Sequence, residues 1–252
     1  MRTNLIILLI LSACNQTPSQ PRGTPISRQT AEYQLTLENP PHRTRAHYPW
    51  EERYLNSYPP ITKEYFRCKG NSRHPIETAR NGRGDPICLA DCAGIDGHSL
   101  PLCNDKEFVY PILITLLNHL QKTHNTRVII TCGHRCPAHN SYSDRENNAT
   151  SKHQIAAEVD FYLQNQEENP RQAIQTILDF YKDDPAYSTF TQNGNSWTNK
   201  EIQIRLHPKD EPRDLDNQHP HPYITIEVRY DREKKQRVHY TWQRAHNGYM
   251  RW

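Results

Sequence analysis

Glycine is scarce in this chain, 9 residues against 19 prolines in 252, so the connections between elements are expected to be rigid. No segment repeats at a fixed period, which excludes a solenoid or propeller. An excess of one charge is missing as well: 31 basic residues stand against 28 acidic ones, a net charge of +3, and the basic residues are not gathered into one run. That excludes nucleic acid as a partner on charge grounds. The apolar run Leu5 to Leu11 falls well short of the about 20 residues a helix needs to cross a bilayer. The cysteines lack the C-x2-C spacing by which zinc ribbons are recognised.

What the N-terminus does contain is a positive charge at Arg2, the short apolar run, and the ending Leu11-Ser12-Ala13-Cys14. Residues 1–13 read as a cleaved secretion signal. The ending resembles the lipobox of bacterial lipoproteins. That resemblance implies that Cys14 is the first mature residue and a lipid anchor, placing the protein in the bacterial cell envelope and facing the periplasm. Asn15 rather than aspartate after it implies the outer membrane. Residues 14–47 are polar and broken by Pro18, Pro21, Pro25, Pro40 and Pro41, and such a segment cannot bury enough apolar surface to offset its ordering entropy. It is expected to be a flexible tether. Residues 48–252 are long enough for one domain with a full core.

Setting Cys14 aside leaves Cys68, Cys88, Cys92, Cys103, Cys132 and Cys136, an even number in an exported chain. Three disulfides are expected, with 15 pairings open. The alternative is a structural zinc site built from Cys88-x3-Cys92 or Cys132-x3-Cys136.

Helical spacing of Leu113, Leu116, Leu117 and Leu120 predicts a helix that starts near Pro111. A β-branched run from Arg127 to Cys132 predicts a buried strand. Alternation of Ala157, Val159 and Phe161 with Glu158, Asp160 and Tyr162 predicts a second strand, with Asp160 on its polar face. Asn169-Pro170 opens a helix over residues 171–182, residues 183–200 read as a long loop, and strands are expected at 201–206 and 223–230. A last hairpin is expected at 236–242.

Ser151 to Asp160 holds a histidine and an aspartate seven positions apart, and imidazole with carboxylate is a common zinc donor pair. Ile-Thr-Cys-Gly-His-Arg-Cys-Pro-Ala-His-Asn at 130–140 resembles the S-G-Y-R-S-x-x-x-N segment of the D-Ala-D-Ala carboxypeptidase and dipeptidase family of zinc peptidases. Ser151, His153, Ala156, Glu158 and Asp160 resemble its S-x-H-x-x-G-x-A-x-D motif. The broader class includes murein endopeptidases and the zinc domain of hedgehog proteins. The resemblance implies an α+β fold, a small antiparallel sheet with flanking helices. It implies a bound Zn2+ held by His153 and Asp160, with Arg135 contacting the substrate or its developing oxyanion. For the third ligand His219 is favoured, with His221 close behind. Asp216, three before His219, is the expected general base, and Glu227 the other candidate. Ala156 stands where the family has glycine and Glu158 where it has alanine, so a new carboxylate shares the face of Asp160. The implied activity is hydrolysis of peptidoglycan stem peptides, as a carboxypeptidase or an endopeptidase. The alternatives are a relative that binds peptidoglycan without cutting it, and a structural envelope lipoprotein.

Overall fold

A computed structural model describes residues 58–70, 77–80, 86–89, 92, 94, 97–143 and 150–252, with the backbone alone for 77–80 and 86–89. The signal segment, Cys14, the tether and the side chain of Cys88 lie outside the described residues.

Two short antiparallel hairpins come first, β1 (Glu77–Arg80) with β2 (Pro86–Leu89) and β3 (Leu102–Cys103) with β4 (Lys106–Glu107). They lead into α1 (Pro111–His124) and β5 (Val128–Cys132). Pro111 occupies the first turn of α1, where its missing N–H leaves nothing unsatisfied. Asn125 ends the helix in the left-handed conformation, φ 46°, which asparagine tolerates better than most residues. After α2 (Pro137–Ser143) come β6 (Glu158–Leu163) and α3 (Pro170–Phe180). The strands β7 (Thr191–Asn193), β8 (Ser196–Thr198), β9 (Ile202–His207) and β10 (Tyr223–Val228) complete the main sheet. A small ladder of β11 (Tyr230–Asp231) with β12 (Gln236–Arg237) precedes α4 (Trp242–Asn247).

The main sheet has six strands in the order β5-β6-β10-β9-β8-β7, every neighbouring pair antiparallel, so the architecture is α+β as expected. Residues 183–200, expected as a loop, carry the β7–β8 hairpin. The last hairpin is shorter than expected, because Trp242 already begins α4.

Alternation divides the sheet into two faces. Val159 and Phe161, Ile224 and Ile226, and Ile204 and Leu206 point into the core, against Leu113, Leu116, Leu117 and Leu120 of α1 and Ala173, Ile174 and Ile177 of α3. Each fully buried leucine or isoleucine contributes roughly 1.5–3 kcal/mol, so this layer supplies most of the folding free energy. The opposite face carries Glu158 and Asp160, Thr225 and Glu227, and Gln203, Arg205 and His207, brought side by side by the register Thr225↔Asp160, Thr225↔Arg205 and Glu227↔Gln203. At the edge of this face β5 has a bulge, since Ile130 pairs with Phe161 but Cys132 pairs with Asp160.

Candidate metal centre

The Ser151 hydroxyl accepts the His153 backbone N–H at 3.2 Å and starts a single 3-10 turn over Lys152–Ile155. Ala156 ends the turn in the left-handed conformation, φ 52°. Glycine would adopt this conformation without the Cβ penalty that alanine carries. The turn drops His153 over the polar face of β6, where it is 4% exposed. Its Nδ1–H donates to the Gly133 carbonyl at 2.7 Å. Gly133 owes its identity to close packing: a Cβ there would lie 2.7 Å from the Cα and the carbonyl oxygen of Phe66.

With Nδ1 donating to Gly133, a neutral ring presents the lone pair of Nε2 to Asp160 Oδ2 at 3.4 Å and to Glu158 Oε2 at 3.8 Å. Two carboxylate oxygens turned toward one imidazole nitrogen at a largely buried site need a proton or a cation between them. Burial opposes the charge of His153, but the acidic groups around it, Cys132, Glu158 and Asp160, raise its pKa well above the ordinary histidine value. Burial would likewise raise the Asp160 carboxyl; His153, Arg135 and the Thr225 hydrogen bond outweigh it and hold that carboxyl well below the usual range. At Glu158 burial, joined by the charges of Asp160 and Glu227, outweighs the pull of His153 and Arg135 and pushes the carboxyl up. Cys132 completes the group. Its Sγ lies 3.4 Å from His153 Nδ1, and burial pushes the thiol up to about 12. Cys132, His153 and Asp160 each offer one donor atom within 4.8 Å of the others, a group able to hold a metal ion.

His153, Glu158 and Asp160 line a cavity of about 320 Å³ together with Lys152, Gln203, Arg205, His207, Thr225 and Glu227. Thr225 donates its hydroxyl to Asp160 Oδ1 at 2.6 Å, and His207 Nε2 lies 3.0 Å from the same hydroxyl oxygen. His207, Arg205 and Thr225 were not among the expected site residues. The only signal for them is that 202–207 alternates as a strand; the pairing with β10 that turns its polar face into the cavity is not written locally. Arg205 is exposed on the cavity wall, whereas Lys152 is occupied by Glu227 at 2.6 Å and the Val228 carbonyl at 2.9 Å.

The loop over residues 213–222 is placed differently from the expectation. His219 and His221 do not line this cavity. Their rings pack against Tyr162 at 5.0 and 5.1 Å, and their carbonyls accept from Arg213 at 2.6 and 2.8 Å. Asp216 does not line it either; it accepts from Arg135 Nε at 2.6 Å and pairs with His139 Nε2 at 2.9 Å. Burial would raise the Asp216 carboxyl, but the hydrogen bond from His139 and the charge of Arg135 hold it well below the usual range. Arg135 reaches the cavity edge but is 1% exposed, with Nη2 donating to Asp214 at 2.6 Å, so two of its nitrogens hold the loop rather than await a substrate. The loop's own contribution to the site is Asn217, fully buried, whose Nδ2 donates to Asp160 Oδ2 at 2.8 Å and Asp214 Oδ1 at 3.0 Å and whose Oδ1 accepts from Thr131 at 2.6 Å.

The expected disulfides are not formed among the described residues, which include Cys68, Cys92, Cys103, Cys132 and Cys136. Cys132 faces His153, Cys103 accepts from Lys234 at 3.1 Å, and the other three converge elsewhere. Comparison of the chain with known protein families, with curated proteins and with solved structures gives no match. The reading of the site therefore rests on its geometry and chemistry.

Proposed function

We propose that this chain is a zinc-dependent peptidase of the D-Ala-D-Ala peptidase type, with the hedgehog-like fold of that class, hydrolysing peptide bonds in peptidoglycan stem peptides. The observation that carries the reading is the meeting of His153 Nε2, Asp160 Oδ2 and Glu158 Oε2 in one cavity. The donor set fits a divalent metal: an imidazole fixed by the Gly133 carbonyl with its other nitrogen turned to a carboxylate is the arrangement by which metal-binding histidines are oriented. His153 and Asp160 would hold the ion, with Cys132 as third donor in place of His219 and His221. Zinc bound there would polarise the scissile carbonyl and bring the pKa of water toward neutrality.

The remaining work falls to the chain's own groups. Glu158, its carboxyl raised by burial, takes over the role expected of Asp216: it accepts the proton of the attacking water and returns it to the leaving amine. Arg205 offers a forked guanidinium on the cavity wall, suited to a substrate carboxylate. Glu227 is held by Lys152 and shapes the wall. A lipid anchor at Cys14 and the tether would let the domain reach peptidoglycan from the outer membrane.

The test combines metal content with digestion of purified muropeptides. His153→Ala and Asp160→Ala should lose the zinc of this site together with activity. Glu158→Gln should keep the zinc and lose activity by at least about 100-fold. A wild-type protein that carries zinc here yet releases no new amine would end the peptidase reading. It would favour a binder, in which Glu158, already 3.8 Å from His153 Nε2, itself fills a coordination position. No zinc at this site would leave a structural envelope protein.

A further inference from the structure

Behind the turn that carries Gly133 and Arg135 lies a second group of donors. Cys68 follows the 3-10 turn Lys63–Phe66, Cys92 and His98 fall between β2 and β3 in the chain, and Cys136 immediately precedes α2. The three sulfurs and a ring nitrogen of His98 all lie within 4.8 Å of one another. The sulfurs of Cys68 and Cys92 are 3.5 Å apart. A tetrahedron of ligands about zinc, with Zn–S near 2.3 Å, has S···S edges of roughly 3.8 Å, so little adjustment is needed.

Three further observations narrow the chemistry. Cys68, His98 and Cys136 are 2%, 5% and 1% exposed, as the closed four-ligand set of a structural metal requires. His98 directs Nδ1 to the Ser99 carbonyl at 3.1 Å, while its Nε2 is buried without a hydrogen-bond partner. A neutral ring thus turns a lone pair, which would otherwise carry an uncompensated desolvation cost, into a pocket of sulfurs. The sulfurs meanwhile accept backbone N–H groups, Gly94 to Cys92 at 3.3 Å and His139 to Cys136 at 3.4 Å, the hydrogen bonds that favour thiolate over thiol. A disulfide between any two of the cysteines would leave the third sulfur over and His98 Nε2 still without a partner.

We propose that Cys68, Cys92, His98 and Cys136 form a closed structural zinc site, distinct from the metal centre of His153 and Asp160. The local packing explains the need for one. Among the described residues, Cys68, Cys92, Cys136 and Tyr249 make up the apolar group at this corner, separate from the main core. Yet it must tie four parts of the chain: residues 67–70, Cys92 with His98, the turn at 133–136, and the C-terminal residues, which reach it through the Tyr249 ring on His98 at 5.4 Å and the hydrogen bond from Ser99 to Met250. A Cys3His site ties the first three directly and the fourth through the His98 ring. The ligands are separated by 24, 6 and 38 residues, which is why no zinc motif shows in the chain. The spaced pair Cys132-x3-Cys136 does not act together: the first cysteine faces His153, the second faces Cys68.

The experiment uses the full chain, purified without added metal or chelator. Zinc per chain is measured in wild type and in His153→Ala, and X-ray absorption at the zinc edge counts the sulfur ligands. The proposal expects about two zinc ions in wild type and one in His153→Ala, the latter with three sulfurs per metal at about 2.3 Å. His98→Cys should keep that metal with a fourth sulfur, whereas Cys136→Ser should lose it if the variant folds. A single wild-type zinc with three sulfurs would sustain this site while removing the proposed catalytic one, so the two readings fail separately. The proposal is overturned by a sulfur-free zinc shell in His153→Ala, by absence of zinc from that protein, or by peptide mapping that finds Cys68, Cys92 or Cys136 in a disulfide.

Discussion

Replacing Asn217 with alanine tests whether the buried loop positions the metal-facing carboxylate. The substitution removes one donor from Asp160 Oδ2, one donor from Asp214 Oδ1 and one acceptor from Thr131. A hydrogen bond to a charged group is worth about 1.5–3 kcal/mol. The loss at Asp214 is the smaller one, because Oδ1 keeps the Asn217 backbone N–H at 3.1 Å and Oδ2 keeps Arg135 at 2.6 Å. The Thr131 hydroxyl is only partly buried and can turn to another acceptor. The sum is therefore dominated by Asp160, which keeps Thr225 on Oδ1 but loses its donor on Oδ2. A net loss of about 3 kcal/mol is expected in urea unfolding. Zinc affinity, measured by competition with a chromophoric chelator, should fall by about 10–100-fold, since Asp160 is no longer held in place. Asn217→Asp should be worse, placing a third carboxylate beside Asp160 and Asp214. Stability within about 0.5 kcal/mol of wild type together with unchanged zinc affinity would refute the reasoning.

Arg135→Met removes the charge but keeps much of the stem, and leaves Asp214 and Asp216 without their cation; chemical denaturation should show a loss of about 3–5 kcal/mol. Ala156→Gly gives up a buried methyl, worth about 0.8 kcal/mol, and relieves a left-handed alanine by a comparable amount, so its stability should stay within about 1 kcal/mol of wild type while Ala156→Val is strongly destabilised. Glu107 receives two hydrogen bonds from Arg67 at 2.7 and 2.6 Å, and these hold its carboxyl below the ordinary glutamate value. Its contribution is complete above the unfolded pKa of about 4.3 and is lost as pH falls through the lower folded value. Stability measured against pH should fall across that window, and less steeply in Glu107→Gln. An identical slope would remove the pair from the account of acid unfolding.

The long elements were legible because one physical pattern dominates each. The leucines of α1 repeat at helical spacing, Pro111 and Pro170 mark first turns, and β6 alternates cleanly. The β7–β8 hairpin was not legible, because its strands have three residues each and β7 is exposed throughout, leaving little apolar pattern to read. In the site, His153 and Asp160 meet within one turn and strand, so a local motif suffices to pair them. His207 and Arg205 enter only through the pairing of β9 with β10, and Asn217 only through the fold of a loop whose histidines draw attention first. The donors around Cys68 come from distant segments, so no spacing announces them.

The bulge in β5 gives the polar face something a regular strand could not. Strict alternation would allow one of Thr131 and Cys132 to serve the site and turn the other toward the helices. The extra residue lets both serve it, Thr131 through Asn217 and Cys132 beside His153, before Gly133 leaves the sheet with its carbonyl on the same ring. A graft of the side chains alone onto an even strand would thus recover His153 and Asp160 but not what steadies them. Transplanting this centre to another scaffold requires carrying over the irregularity of the backbone as well as the residues.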